Sequence, residues 1–179
     1  MLARVAESQT ATVAVPSWRL QFKVQDYIDL TKPRITWLIL MSTAVGYYFG
    51  HRGPWSLWPL LHTVLGTGLV ASGTAALNQL YERDADRQMR RTQMRPLPSG
   101  RLSAVQALWF GIALALIGGL ELGFGVNWLA SGLCISTLLV YLFLYTPLKQ
   151  KTWWSTTIGA FPGAMPPLIG YAAAANKLS

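Results

Sequence analysis

Five stretches of this sequence are too apolar, and too long, to sit comfortably in water. They are residues 35–49, 57–77, 104–122, 126–145 and 153–175. The last four have about 20 residues each, enough for a helix to cross a hydrocarbon core of roughly 30 Å. The first is shorter and is expected to extend backwards, with Lys32 and Arg34 snorkelling to the interface. Inside a bilayer every backbone N–H and C=O must find a partner within the protein, which leaves helices or a closed barrel. The two-residue alternation of a barrel strand is absent. The expected fold is therefore all-α, a polytopic transmembrane helix bundle with about five spans.

Charge supports this and sets an orientation. Only 12% of the residues are charged against 52% hydrophobic, about half the charge of a soluble domain. The net charge of +8 would suggest nucleic acid in a soluble protein. Here the basic residues lie between apolar blocks, in a short segment that also carries three acids, so a nucleic-acid partner is not expected. With the N-terminus in the cytoplasm and five spans threaded, all but Arg52 and Lys177 of the 15 lysines and arginines fall on the cytoplasmic side. That is the bias of an integral membrane protein in this orientation, expected in the bacterial inner (plasma) membrane. Residues 1–25 are expected to form a flexible cytoplasmic arm, and 26–179 the transmembrane domain. Cys134 is alone and lies inside an apolar block, so it forms no internal disulfide.

The fifth span carries Gly159, Pro162, Gly163, Pro166, Pro167 and Gly170. Two readings stay open: a broken helix that lines a cavity, or a kinked helix that only packs.

The residues most able to do chemistry follow the second span. Asn78, Glu82 and Asp86 are spaced by four, which aligns their oxygens on one helix face. One or two carboxylates, completed by water and phosphate, suit Mg²⁺. Asp84 falls off that face and is expected to pair with an arginine. Arg90, Arg91 and Arg95 come next, and guanidinium groups match phosphate geometry. From spacing alone, a solvated positive-inside loop paired with Glu82, Asp84 and Asp86 explains these arginines better than a diphosphate site. Tyr145 and Lys149 close the fourth span on the same side. Alone they would read as an interfacial belt.

Three groups thus converge on one cytoplasmic mouth, and here a resemblance appears. Asn78, Glu82 and Asp86, followed by Arg91-Thr92 and Arg95-Pro96, resemble the first aspartate-rich motif of the UbiA-type prenyltransferase superfamily. Tyr145 and Lys149 match its Tyr/Lys motif. The stretches DYIDLTKPRI at 26–35, YTPLK at 145–149 and IGAFPGAMPPLIG at 158–170 narrow the resemblance to the haem O synthases, or protoheme IX farnesyltransferases. Members of that group are longer, with about nine helices and a second aspartate-rich motif. No such motif occurs here, and Glu121, the last acidic residue, sits near the outer end of the third span. The chain is therefore expected to be the N-terminal part of such a protein.

The resemblance implies transfer of a farnesyl group from farnesyl diphosphate to haem B, giving haem O for terminal oxidases. It implies Mg²⁺ held by Glu82 and Asp86 with Asn78 assisting. It implies diphosphate bound by Arg91, Arg95 and Lys149 with Tyr145 supporting, and joined by Lys32 and Arg34. Haem A synthase or the terminal-oxidase assembly are the implied protein partners. His51 and His62 are candidate haem ligands on chemistry alone, although packing or hydrogen bonding explains a lone histidine more often. Two alternatives remain: an inactive truncated membrane fragment, or a superfamily member that prenylates an aromatic acceptor.

Overall fold

The computed structural model describes residues 17–54, 56–149 and 152–178, with side chains from Val24 onward. Among them there is no strand. Helix α1 spans Ser17–Leu30, α2 Pro33–Gly50, α3 Leu57–Gln88, α4 Ala104–Gly125 and α5 Trp128–Leu139. Helix α5 runs on through a π-helical stretch, Val140–Tyr145, into the short α6, Thr146–Lys149. Helix α7 spans Ser155–Ala175. The expected flexible arm is thus helical from Ser17, and residues 1–16 lie outside the described residues.

Local chemistry explains the ends. Lys32 takes a left-handed conformation (φ 49°, ψ 61°), which turns the chain between α1 and α2. Pro33 then opens α2, where its missing N–H is not needed. Ser103 and Gln106 form a reciprocal capping box at the start of α4. Asn127 caps α5 through its side-chain oxygen. The same Asn127 donates to the Ala172 and Ala173 carbonyls, tying the α4–α5 turn to α7.

Three of the described helices are long and apolar enough to cross a membrane: α3, α4 and the continuous run Trp128–Lys149. The expected count of five is not met by that test. Arg34 and Pro33 dilute the 18 residues of α2, and Ser155, Thr156, Thr157 and three prolines dilute α7. Nor does α7 break. It is one helix with Pro162, Pro166 and Pro167 inside it, and four of its residues, Gly159, Pro162, Gly163 and Pro166, line a cavity. The structure therefore combines features of both readings of this segment.

The strongest pairings are α3 with α4 and α2 with α7. Lipid gives no hydrophobic drive for such pairing, so close backbone approach carries it. At the α2–α7 crossing, a Cβ on Gly46 would collide with the Pro167 carbonyl, and one on Gly170 with the Thr43 carbonyl. The core inside includes Tyr47, Val70, Leu122, Cys134, Met165 and Ile169. Leu38, Leu61, Leu65, Leu116 and Phe124 stay exposed on the outer faces, as side chains solvated by lipid do.

Helix α3 does most to position the site. Its 32 residues give a rod of about 48 Å, longer than the hydrocarbon core. It continues as regular helix past the apolar block ending at Leu77, and these extra turns carry the acidic face. Gln79 holds them against α1 by donating to the Asp29 and Leu30 carbonyls (3.1 and 3.0 Å) at the end of that helix, where the regular helical bonds run out.

Candidate active site

Because α3 stays helical, Asn78, Glu82 and Asp86 share one face, and all three are buried. Buried polar groups need partners. Asn78 Nδ2 donates to Glu82 Oε2 (3.0 Å). Asn78 Oδ1 accepts from the Thr146 hydroxyl (2.9 Å). Lys149 Nζ donates to Glu82 Oε1 (3.2 Å). One turn on, Arg95 Nη1 donates to Asp86 Oδ2 (2.7 Å). The Thr92 hydroxyl caps the Asp86 carbonyl (2.9 Å) and folds the arginine loop back onto the helix. Asp84 is exposed and pairs with Arg83 and Arg87, as expected from its position off the face.

Two cavities, each of about 330 Å³, lie beside the site; Arg95 lines the second, while Asn78, Glu82, Asp86 and Lys149 line neither. The first is apolar, walled by Ile35, Ile39, Val70, Leu138 and Ile169, with Tyr141 and Tyr145 in its wall. The second is polar and is lined by Asp29, Gln79, Arg91 and Arg95. Lys32 lines both. Burial lowers the Lys32 pKa from its ordinary value, helped next by Arg95 and then by Lys149, against upward pulls from Glu82 and Asp86. Among the described residues Lys32 makes no ion pair. An under-compensated cation at the junction of two cavities is poised to take an anion.

The expected site residues separate in this geometry. Asn78, Glu82 and Lys149 form one linked group and Asp86 with Arg95 another, and Tyr145, Lys32 and Arg91 line the adjoining cavities. Arg34 is exposed in the first turn of α2 and lines neither cavity. Thr146 and Tyr141 were not expected. Thr146 is fully buried, and its signal was available as a hydroxyl inside the Tyr145–Lys149 motif. Tyr141 lies one turn before Tyr145, on the side of the helix that meets the cavity.

The donor set suits a hard cation. Among the described residues no three His, Cys, Asp or Glu side chains cluster as metal ligands. Two buried carboxylates would leave the rest of the shell to water and phosphate, which is the arrangement Mg²⁺ favours, while Asn78 turns its Nδ2 rather than its oxygen to Glu82.

The histidines lie elsewhere. His62 Nδ1 is 2.5 Å from Glu121 Oε1. Along α3 it is roughly 30 Å from Glu82, so the pair belongs to the opposite end of the bundle. His51 contacts the Pro54 carbonyl (3.2 Å) and stacks on Tyr47.

Comparison with known proteins fits this geometry. Residues 39–179 match the UbiA prenyltransferase family. The protoheme IX farnesyltransferase of Solibacter usitatus is 61% identical over 165 residues, covering 87% of this chain and 56% of the relative. That of Koribacter versatilis is 43% identical over 174 residues, covering 96% of this chain and 56% of the relative. The chain thus spans about half the length of the curated relatives it matches. Among solved structures, a UbiA homologue from Archaeoglobus fulgidus bound to DMAPP and Mg²⁺ superposes with a TM-score of 0.69 at 22% identity. That superposition covers 84% of this chain and 53% of the other, and the likeness is one of fold. A buried acidic helix face, an apolar cavity beside it and this sequence match lead to one conclusion: the chain belongs to the UbiA prenyltransferase family.

Proposed function

We propose that the protein transfers the farnesyl group of farnesyl diphosphate to a vinyl group of haem B, giving haem O. One observation carries this reading. The buried face of Asn78, Glu82 and Asp86, with Lys149 and Arg95 paired to it, adjoins an apolar cavity through Lys32 and Tyr145. A prenyl diphosphate divides in the same way, into a charged head and an apolar tail. The names of the relatives support haem as the acceptor over an aromatic acid. The Archaeoglobus homologue, bound to DMAPP and Mg²⁺ or to GPP and Mg²⁺, supports the pairing of a diphosphate with that ion.

The reaction must ionise an allylic carbon–oxygen bond. Mg²⁺, held by Glu82 and Asp86 with Asn78 assisting, would neutralise charge on the leaving diphosphate. The chain's own cations add to this. Lys149 and Arg95 now rest on Glu82 and Asp86. As charge builds on the leaving group they can share it, together with Lys32 and Arg91. Tyr145 supports the head group beside Lys149. The apolar wall excludes water from the reacting carbon.

The same reading puts the site at the cytoplasmic surface of a bacterial inner membrane, from the basic residues between the spans. It makes haem A synthase or the terminal-oxidase assembly the natural recipients of the product.

The test is to offer the purified protein farnesyl diphosphate and Mg²⁺ with haem B or, separately, an aromatic acid. The expected product is haem carrying a farnesyl group, identified by mass. Farnesylation of the acid alone would overturn the acceptor, and prenylation of neither would overturn the reading.

A further inference from the structure

Among the described residues one stretch leaves the ordinary helical register, the six π-helical residues Val140–Tyr145. Such insertions are rare and cluster at functional sites. Here the insertion is anchored to the acidic face. The Tyr141 carbonyl accepts from the Thr146 N–H and lies 2.8 Å from the Thr146 hydroxyl. That same hydroxyl reaches Asn78 Oδ1. A single buried side chain therefore fixes the distorted turn to the helix that carries Glu82.

The product of the distortion is a pair of rings in the cavity wall. Tyr141 and Tyr145 both line it, with centroids 5.0 Å apart and planes inclined at 35°. Tyr145 is braced from behind by α7: a Cβ on Gly159 would come within 2.7 Å of its ring. Tyr141 lies one turn farther from Lys149 and so deeper in the cavity. Among the described residues the hydroxyl of this partly buried tyrosine makes no hydrogen bond. The ring is therefore what this position contributes.

We propose that Tyr141 faces the allylic carbocation during prenyl transfer, and that its ring, backed by Tyr145, stabilises the cation and shields it from water. The inference rests on the prenyl-transfer reading above. When the carbon–oxygen bond breaks, both electrons leave with the diphosphate and the positive charge remains on the allylic carbon. The face of an aromatic ring attracts such a charge without reacting with it. The π electrons of the acceptor vinyl group then form the new carbon–carbon bond at its terminal carbon, and the positive charge passes to the vinyl carbon next to the haem ring. Water adds there and releases a proton, leaving a hydroxyl group on the product. If water reaches the allylic carbon first, its oxygen bonds there, a proton is released, and the free prenyl alcohol forms.

The experiment follows labelled farnesyl diphosphate in the protein with Mg²⁺ and haem B, and measures diphosphate release, transferred label and free farnesol. Tyr141→Phe keeps the ring and should stay within about threefold of the unaltered protein. Tyr141→Leu should lower diphosphate release about tenfold, the order expected for a cation–π contact, raise the share of farnesol, and leave farnesyl diphosphate affinity within about threefold. Replacing Tyr141 by phenylalanines of increasing fluorine content keeps the shape and drains the ring face. The logarithm of the rate should then fall steadily with fluorine count. A flat fluorine series, or Phe and Leu variants equally impaired, would overturn the role of the ring while transfer by the unaltered protein still stood. No release of diphosphate by the unaltered protein would overturn the prenyl-transfer reading and this one with it.

Discussion

Thr146 and Asn78 lie 68 positions apart, on different helices, yet their side chains meet in a buried hydrogen bond of 2.9 Å. The bond fixes the Asn78 amide so that its Nδ2 turns to Glu82, and Glu82 in turn receives Lys149 from the last turn of α6. Thr146, Asn78, Glu82 and Lys149 thus close a ring of contacts between α3 and α6. Its geometry holds the proposed metal ligands one turn apart with a cation within reach.

Thr146→Val tests that ring with almost no change in shape. It strands the buried Asn78 oxygen without its donor. Interhelical hydrogen bonds in membranes are modest, so the expected loss is about 1 kcal/mol, read as a lower unfolding midpoint in detergent. Turnover should fall by more than this loss explains, because Asn78 and Tyr141 both lose their anchor. Thr146→Ser should restore both.

Lys149→Met removes the partner of Glu82. Lys149 is half exposed, so the pair should contribute under about 1 kcal/mol to folding. The larger effect should fall on the diphosphate. Losing one charged hydrogen bond to it predicts a fall of about ten- to a hundredfold in kcat/KM, measured by steady-state transfer.

Lys32 should show the opposite sign on folding. Its pKa is lowered in the folded protein, first by burial. The unfolded chain therefore binds the proton more tightly, and stability rises with pH from the lowered folded value up to the ordinary 10.5. Lys32→Met removes this buried charge. It should raise the unfolding midpoint at neutral pH, flatten its dependence on alkaline pH, and weaken farnesyl diphosphate binding. Titration calorimetry and thermal unfolding on one preparation separate the two effects.

The α2–α7 crossing should be intolerant at two positions, while Gly163, in α7 but lining the cavity, should be indifferent. Gly46→Ala and Gly170→Ala each push a methyl group into a backbone carbonyl, which cannot move aside as a side chain can. Each should cost about 1–3 kcal/mol or prevent folding. Gly163→Ala meets nothing within 4 Å and should leave the folded fraction unchanged. The monodisperse yield in detergent checks all three.

Much of this architecture is legible in the sequence, because the bilayer leaves few choices. Apolar blocks, helical spacing and the basic bias locate the helices, and the four-residue spacing gives the acidic face. Three things were hidden, each for a physical reason. Leu77 ends an apolar block, but hydropathy does not show that α3 continues to Gln88. The prolines of α7 leave a break and a kink equally open in the sequence, and the chain absorbs them in one helix beside α2. The π-helical insertion at Val140–Tyr145 depends on the Thr146 hydroxyl and a helix 68 residues away, which no local pattern reports. Arg34 shows the converse. Its sequence neighbour Lys32 lines both cavities, while Arg34 points away because the chain turns sharply between them.

The most direct test of the site is Mg²⁺-dependent farnesyl transfer to haem B by the unaltered protein and by Asp86→Ala, with membrane insertion of both checked by carbonate extraction. The unaltered protein should transfer only when Mg²⁺ is supplied, and Asp86→Ala should insert normally and lose transfer by at least a hundredfold, the scale on which an electrostatic catalytic contact is felt. Transfer by Asp86→Ala at the unaltered rate, or transfer by the unaltered protein in excess chelator, would contradict a cation held on the α3 face.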